Sequence, residues 1–236
     1  MQISLKFYNH YSFANAGAMP LARAYFYDLG LWILVHMKKI AIDIVLFPSE
    51  EIRDVAIELN RKLRENNPPK ITLDTESVMP HISLTMGVLD EERLSEAAEI
   101  LKNIAADFGA MELEIPEIAV KTSSSGKKMS SLQLADHPEL QQLHNRLVQD
   151  YTFLLEKGAS PEMFHSSPEV SESSLSWVDD YLGKHSGENF WPHITLGAGE
   201  LAVNFAAKFT ASRLALCHLG DHCTCREILV EEILKG

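Results

Sequence analysis

Pro80-His81-Ile82-Ser83-Leu84-Thr85-Met86-Gly87 recurs far along the chain as Pro192-His193-Ile194-Thr195-Leu196-Gly197-Ala198-Gly199. Pro, His, Ile, Leu and the last Gly are identical, and Ser83 is exchanged for its chemical equivalent Thr195. Each copy is a short apolar run opened by Pro and closed by Gly, which predicts a strand. Side chains alternate along a strand, so His81 and Ser83 share one face while Ile82 and Leu84 share the other. His193 and Thr195 stand in the same relation to Ile194 and Leu196. Pro is tolerated at the first position of a strand, where no ladder bond is required. The apolar face packs on a core and leaves the polar face to line a cleft.

Two His-x-Ser/Thr units brought face to face hold an acid, a base and two hydroxyl donors. Imidazole titrates near neutrality, so one histidine can be neutral while the other is charged. The neutral ring takes a proton from the attacking group, and the charged ring gives one to the leaving oxygen. Ser83 and Thr195 can donate to non-bridging phosphate oxygens, where negative charge accumulates. Such a set can cleave a phosphate ester without a metal. A lone His in a strand usually has no chemistry. Two lobes sharing only a core strand would need to match only at buried positions, yet here the polar pair matches too.

The paired His81-Ile82-Ser83-Leu84 and His193-Ile194-Thr195-Leu196 motifs resemble those of the two-histidine (2H) phosphoesterase superfamily, of the bacterial 2′-5′ RNA ligase-like and cyclic phosphodiesterase type. The resemblance runs from about Met37 to the end. It implies an α+β, bilobal, pseudo-symmetric fold, with two mostly antiparallel sheets flanking a central cleft and helices outside. It also implies metal-independent chemistry on 2′,3′-cyclic phosphates or 2′-5′ linkages, possible ligase activity in reverse, and no cofactor. A basic residue is common on the first strand of such proteins, which makes Lys39 a candidate phosphate contact. The two motifs stand farther apart than the resemblance leads one to expect, and an insertion over 158–190 accounts for it.

Residues 1–36 read differently. They are rich in aromatics and Ala, carry only Lys6, Arg23 and Asp28 as charges, and lack periodicity. A signal peptide fits poorly, because the basic region is thin and no small-residue cleavage site follows. Met37-Lys38-Lys39-Ile40 looks like a protein start, so 1–36 is expected to be a start-site artefact, the alternative being a genuine extension. Residues 37–236 then form a single bilobal domain.

Within that domain, alternation predicts a first strand at Ile40–Phe47. A helix follows from Pro48-Ser49-Glu50-Glu51, with the stripe Ile52, Val55, Ala56, Leu59, Leu63, and ends at Asn66-Asn67-Pro68-Pro69. Asp90 is placed to cap a second helix with Leu94, Ala97, Leu101 and Ile104 inward. Strands are expected near Glu112–Val120 and Ser130–Ala135, and a third helix from Pro138 with Leu140, Leu143 and Leu147 inward. A short helix is expected around Glu172–Tyr181 and another near Leu201–Lys208. Strands at Ser212–Leu219 and Thr224–Ile233 close the chain.

The net charge of −12 repels long polyanions and favours a small nucleotide or short RNA end. No apolar stretch is long enough for a membrane span. Three cysteines, an odd number, argue against a disulfide framework and for a reducing cytoplasm. Cys217 to Cys225 concentrates all three with His218 and His222, which could suit Zn²⁺. The spacing matches no standard knuckle, and packing of small residues in a hairpin is preferred. Ser123–Lys128 could cradle a phosphate but more often such a stretch is a solvated turn. Trp191 could stack a base, although core packing is the commoner role. His137, His144, His165 and His185 are taken as surface residues without partners, and His10 and His36 fall in the doubtful segment.

The sequence thus predicts a cytoplasmic, monomeric phosphodiesterase with His81 and His193 as acid and base and Ser83 and Thr195 holding phosphate. Lys39 and Trp191 are further substrate contacts, and no metal is expected. The alternatives are a non-catalytic nucleotide or RNA-end-binding module, and a zinc-dependent protein built on the Cys217–Cys225 hairpin.

Overall fold

The computed structural model describes residues 24–26, 32–34, 38–66, 71–122, 126–166, 169–201 and 203–235. The chain forms two compact units, residues 1–37 and 38–236. In the first, β1 (Ala24–Phe26) and β2 (Trp32–Leu34) pair antiparallel. His10, His36, Asn67-Pro68-Pro69 and Ser123–Ser125 lie outside the described residues.

The second unit opens with β3 (Lys39–Phe47), whose even-numbered Ile40, Ile42, Ile44 and Leu46 enter the main core. The Ser49 hydroxyl oxygen accepts from the Ile52 amide as α1 (Glu50–Asn66) begins, and the acids Glu50 and Glu51 complement the helix dipole there. Ile52, Ala56, Leu59 and Leu63 of α1 are buried as the periodicity requires. The first motif becomes β4 (Ile82–Asp90). Asp90 accepts from the Glu92 amide and caps a single 3-10 turn, from which α2 (Leu94–Asp107) continues.

The expected strand over 112–120 is two strands. Pro116 separates β5 (Met111–Ile115) from β6 (Glu117–Thr122), which join different sheets. Pro has no N–H to give the ladder, so pairing stops there. β7 (Lys128–Gln133), α3 (Pro138–Tyr151) and the two-residue β8 (Leu155–Glu156) follow. Next come α4 (Glu172–Lys184) and the second motif, β9 (His193–Ala198).

The helix expected near 201–208 does not form. Instead β10 (Ala207–Ala211) pairs antiparallel with β5. Phe209 and Ala211 are buried while Lys208 and Thr210 are exposed, so the period is two. Pairing with a neighbouring strand overrides the helix preference of the alanines. β11 (Arg213–Gly220) and β12 (Thr224–Ile233) close the chain.

The fold is α+β with antiparallel sheets. Strands run β12-β11-β3-β4 on one wing and β9-β7-β6 on the other. The wings meet at one residue pair, Ile82 opposite Ile194. The same position of the two motifs is thus paired antiparallel, which generates a local twofold axis between them. Core side chains of α1, α2 and α3 cover one face of this joined sheet. Ile82, Leu84, Ile194 and Leu196 point to that side, and therefore both histidines point to the other. On the histidine face, Val178 and Tyr181 of α4 join Phe164, Ala41, Met86, Val88 and Leu219 in a second cluster.

Candidate active site

The two histidines are held in the same way. His81 Nδ1 lies 2.7 Å from the Met79 carbonyl oxygen, and His193 Nδ1 lies 2.8 Å from that of Trp191. A carbonyl only accepts, so in each ring Nδ1 carries the hydrogen and donates it. Nε2 is left as the working nitrogen on both sides. The Pro between each carbonyl and its histidine holds the lead-in extended. His81, Ser83, His193 and Thr195 are all partly exposed, while the intervening Ile82, Leu84, Ile194 and Leu196 are buried.

Both motif strands also carry a bulge at one and the same motif position. Ile44 and Val45 of β3 face Thr85 and Ser83, leaving Leu84 as the extra residue. Ser130 and Ser131 of β7 face Gly197 and Thr195, leaving Leu196 as the extra residue. A bulge shifts the phase of alternation. Beyond it Met86 and Val88, rather than Leu89, face the histidine side.

The surroundings of the two rings differ. Asp43 is fully buried on β3, and the Ser83 hydroxyl donates to its Oδ2 at 2.6 Å. That same oxygen is 3.7 Å from His81 Nε2. Burial pushes the Asp43 carboxyl well above the usual range, against the pull of Ser83 and the Leu84 amide. Burial also lowers His81, opposed by its bond to Met79. Nothing in the local pattern signals Asp43 except that it is the only charge between Ile40 and Phe47. His193 instead has Trp191 stacked on it, with ring centroids 4.0 Å apart, and the Lys121 ammonium 3.1 Å from the Trp191 ring centre. Burial, aided by the positive charge of Lys121 and by the neighbouring His81, takes His193 down to about 4 against its bond to Trp191. Lys121, on β6, carries no sequence signal of its own.

Trp191 is thus brought to the site. Lys39 is not. It pairs with Asp90 at the far end of β4, seven residues from Ser83, or about 23 Å of strand. Its ammonium is 2.5 Å from Glu156. The cysteine expectation is also corrected: Cys217 and Cys225 form a disulfide, with Cα atoms 5.7 Å apart across adjacent strands. Both are fully buried, and their sulfurs are committed to each other rather than to a metal. The histidines taken as surface residues all have partners. His137 accepts from the Leu140 amide at the start of α3, His165 lies 3.4 Å from Glu227, and His185 stacks on Trp177. His144 is fully buried. A cavity of about 770 Å³ lies beside the lead-in to the first motif, bounded by Phe47, Arg53, Met79, Arg213 and Arg226, and neither catalytic candidate lines it.

The model of the 2′-5′ RNA ligase superfamily matches residues 48–217, a span that contains both motifs. The chain belongs to this superfamily of 2H phosphoesterases. No curated protein matches it. Among solved structures, TT0787 of Thermus thermophilus is 15% identical, covering 84% of this chain and 99% of its own, with a TM-score of 0.53. E. coli LigT complexed with 3′-AMP is 17% identical, covering 84% and 99%, with a TM-score of 0.50. At such identities the likeness is one of fold. Among the described residues no helix is long and apolar enough to cross a membrane.

Proposed function

We propose that this superfamily member is a phosphodiesterase that opens 2′,3′-cyclic phosphates or 2′-5′ linkages at a nucleotide or short RNA end, using His81 and His193 without a metal. The observation that carries the reading is the matched pair of Nδ1–carbonyl bonds, which leaves both Nε2 atoms for proton transfer on one face. Their asymmetric surroundings support one division of roles in hydrolysis. Burial, with the charge of Lys121 adding to it, keeps His193 neutral, so its Nε2 takes the proton of the attacking water. The water oxygen bonds to phosphorus as the ribose oxygen leaves. On the other side, Asp43 and His81 hold a proton between them. His81 Nε2 delivers it to the leaving ribose oxygen, and the reverse direction exchanges the roles.

Ser83, held beside Asp43, can give its hydroxyl hydrogen to a non-bridging phosphate oxygen once substrate is bound. Thr195 does the same from the second strand. The 3′-AMP held by the LigT structure supports a nucleotide in such a fold, and the net charge of −12 supports a small ligand or RNA end over a long polyanion.

The test is hydrolysis of 2′,3′-cyclic nucleotides and a 2′-5′ dinucleotide in excess EDTA, beside His81→Ala and His193→Ala. Turnover that survives EDTA and is lost in both variants is expected. Binding of nucleotide with no turnover in the unaltered protein would overturn the reading in favour of a binding module. Loss of turnover in EDTA would overturn the metal-free mechanism.

A further inference from the structure

A bulge frees backbone groups from the ladder, and a buried carbonyl without a partner is destabilising. The carbonyls of Leu84 and Leu196 are the two so freed, and each is met by a buried side chain from a helix. His144 of α3 places Nδ1 2.6 Å from the Leu84 oxygen, and Asn60 of α1 places Nδ2 2.7 Å from the Leu196 oxygen. Asn60 and His144 are 1% and 0% exposed. The two contacts are crossed. α1 leads toward the first motif but grips the second. α3 leads toward the second motif but grips the first.

The far side of each donor holds the chain that leads to the other motif. Asn60 also donates to the Ile71 carbonyl at 3.1 Å and accepts from the Leu73 amide at 3.0 Å, on the approach to His81. His144 Nε2 accepts from the Gly187 amide at 2.9 Å, and its ring stacks on Phe190 at 4.0 Å, on the approach to His193. Donor at Nδ1 and acceptor at Nε2, His144 is therefore neutral. Gly197 makes room for the contact in the second motif: its φ is +134°, and a Cβ there would stand 3.2 Å from Asn60 Nδ2.

We propose that Asn60 and His144 are positioning residues for the two-histidine reaction, a crossed pair of clamps that fixes each motif strand to the lead-in of the other and so sets the separation of His81 and His193. The need for them follows from the junction, where only Ile82 and Ile194 pair across the wings. A single ladder position leaves the relative placement of the two strands to side-chain contacts, and a displacement of about 1 Å between reacting groups is enough to cost about a hundredfold in rate. The proposal rests on the phosphodiesterase reading for its kinetic consequence only.

The experiment compares Asn60→Asp, His144→Phe and His144→Asn with the unaltered protein. Asn60→Asp keeps the shape and the Leu73 bond but faces an oxygen to the Leu196 carbonyl. His144→Phe keeps the stacking and loses both bonds. His144→Asn keeps a donor for Leu84. Two quantities are read: kcat and KM on a 2′,3′-cyclic nucleotide, and the NMR titration midpoints of the His81 and His193 rings.

Asn60→Asp and His144→Phe are expected to lower kcat about ten- to a hundredfold with KM within about twofold, and to move both imidazole midpoints. His144→Asn is expected to recover most of the rate. Folded variants with unchanged kcat and unmoved midpoints would overturn the proposal, as would an equal loss in His144→Asn and His144→Phe. If the unaltered protein turned over no cyclic nucleotide, the phosphodiesterase reading would fail while the imidazole midpoints still decided the clamps. If His144→Phe did not fold, unmoved midpoints in Asn60→Asp would overturn it.

Discussion

The half of the site built by the first motif and the half built by the second have the same backbone and different electrostatics. Both have a proline, a histidine tied through Nδ1 to the carbonyl two residues back, a bulge at the leucine, and a helix side chain on the bulge carbonyl. The difference begins one strand away. Asp43 faces Met86, and the equivalent position on the other wing, opposite Ala198, is Met129. A buried carboxyl stands by one histidine, whereas Trp191 and Lys121 stand by the other. Duplicated backbone delivers two equivalent nitrogens to one place. Their neighbours then remove the equivalence, which raises the share of molecules with one ring protonated and the other neutral, the state acid–base catalysis uses.

The severest way to break the comparison is to remove either ring. His81→Ala and His193→Ala should each lower kcat by about a hundred- to ten-thousandfold on a cyclic nucleotide, and the loss should be similar for both although their surroundings are not. Asp43→Asn keeps the size and removes the shared proton. It should cost about ten- to a hundredfold, measured as kcat across pH, whereas Met129→Leu at the matching position should cost nothing measurable.

Lys121→Gln sharpens the contrast. Lys121 lowers His193, which stands at about 4. Removing the cation raises the pH at which His193 loses its proton, so the acid limb of the pH–rate profile should move to higher pH. A rise of about one unit would lower the rate about twofold at pH 5 and leave it unchanged at pH 8. An acid limb that stayed in place would show that burial alone sets His193. The smallest effect is expected at Lys39: Lys39→Ala should leave kcat within about twofold, because Lys39 is engaged with Glu156 at the far end of the strand.

What could be read from the residues was what repeats over short distances. The period of two gave β3, β4 and β9 and put His81, Ser83, His193 and Thr195 on one face. The period of the apolar stripe gave α1 and α3. The role of Asp43 is not legible locally because its neighbours Ser83 and Tyr181 lie about 40 and about 140 residues away. His144 looked like a surface residue because neither of its partners, Leu84 and Gly187, is near it in sequence. The alanines before Phe209 favoured a helix until β5 was there to pair with them. The disulfide between Cys217 and Cys225 depends on the pairing of β11 with β12, a register that cysteine number alone does not contain.

The bulge at Leu84 makes β4 a strand that counts. His81 and Ser83 are odd-numbered, Met86 and Val88 are even-numbered, and all four serve the same side of the sheet because one residue is interposed between the pairs. Exchange of that leucine for another apolar residue alters only packing. Its deletion would restore a regular ladder and force a choice, since either His81 and Ser83 or the seat of α4 would then turn into the opposite core. The strand therefore tolerates changes of letter far better than changes of length.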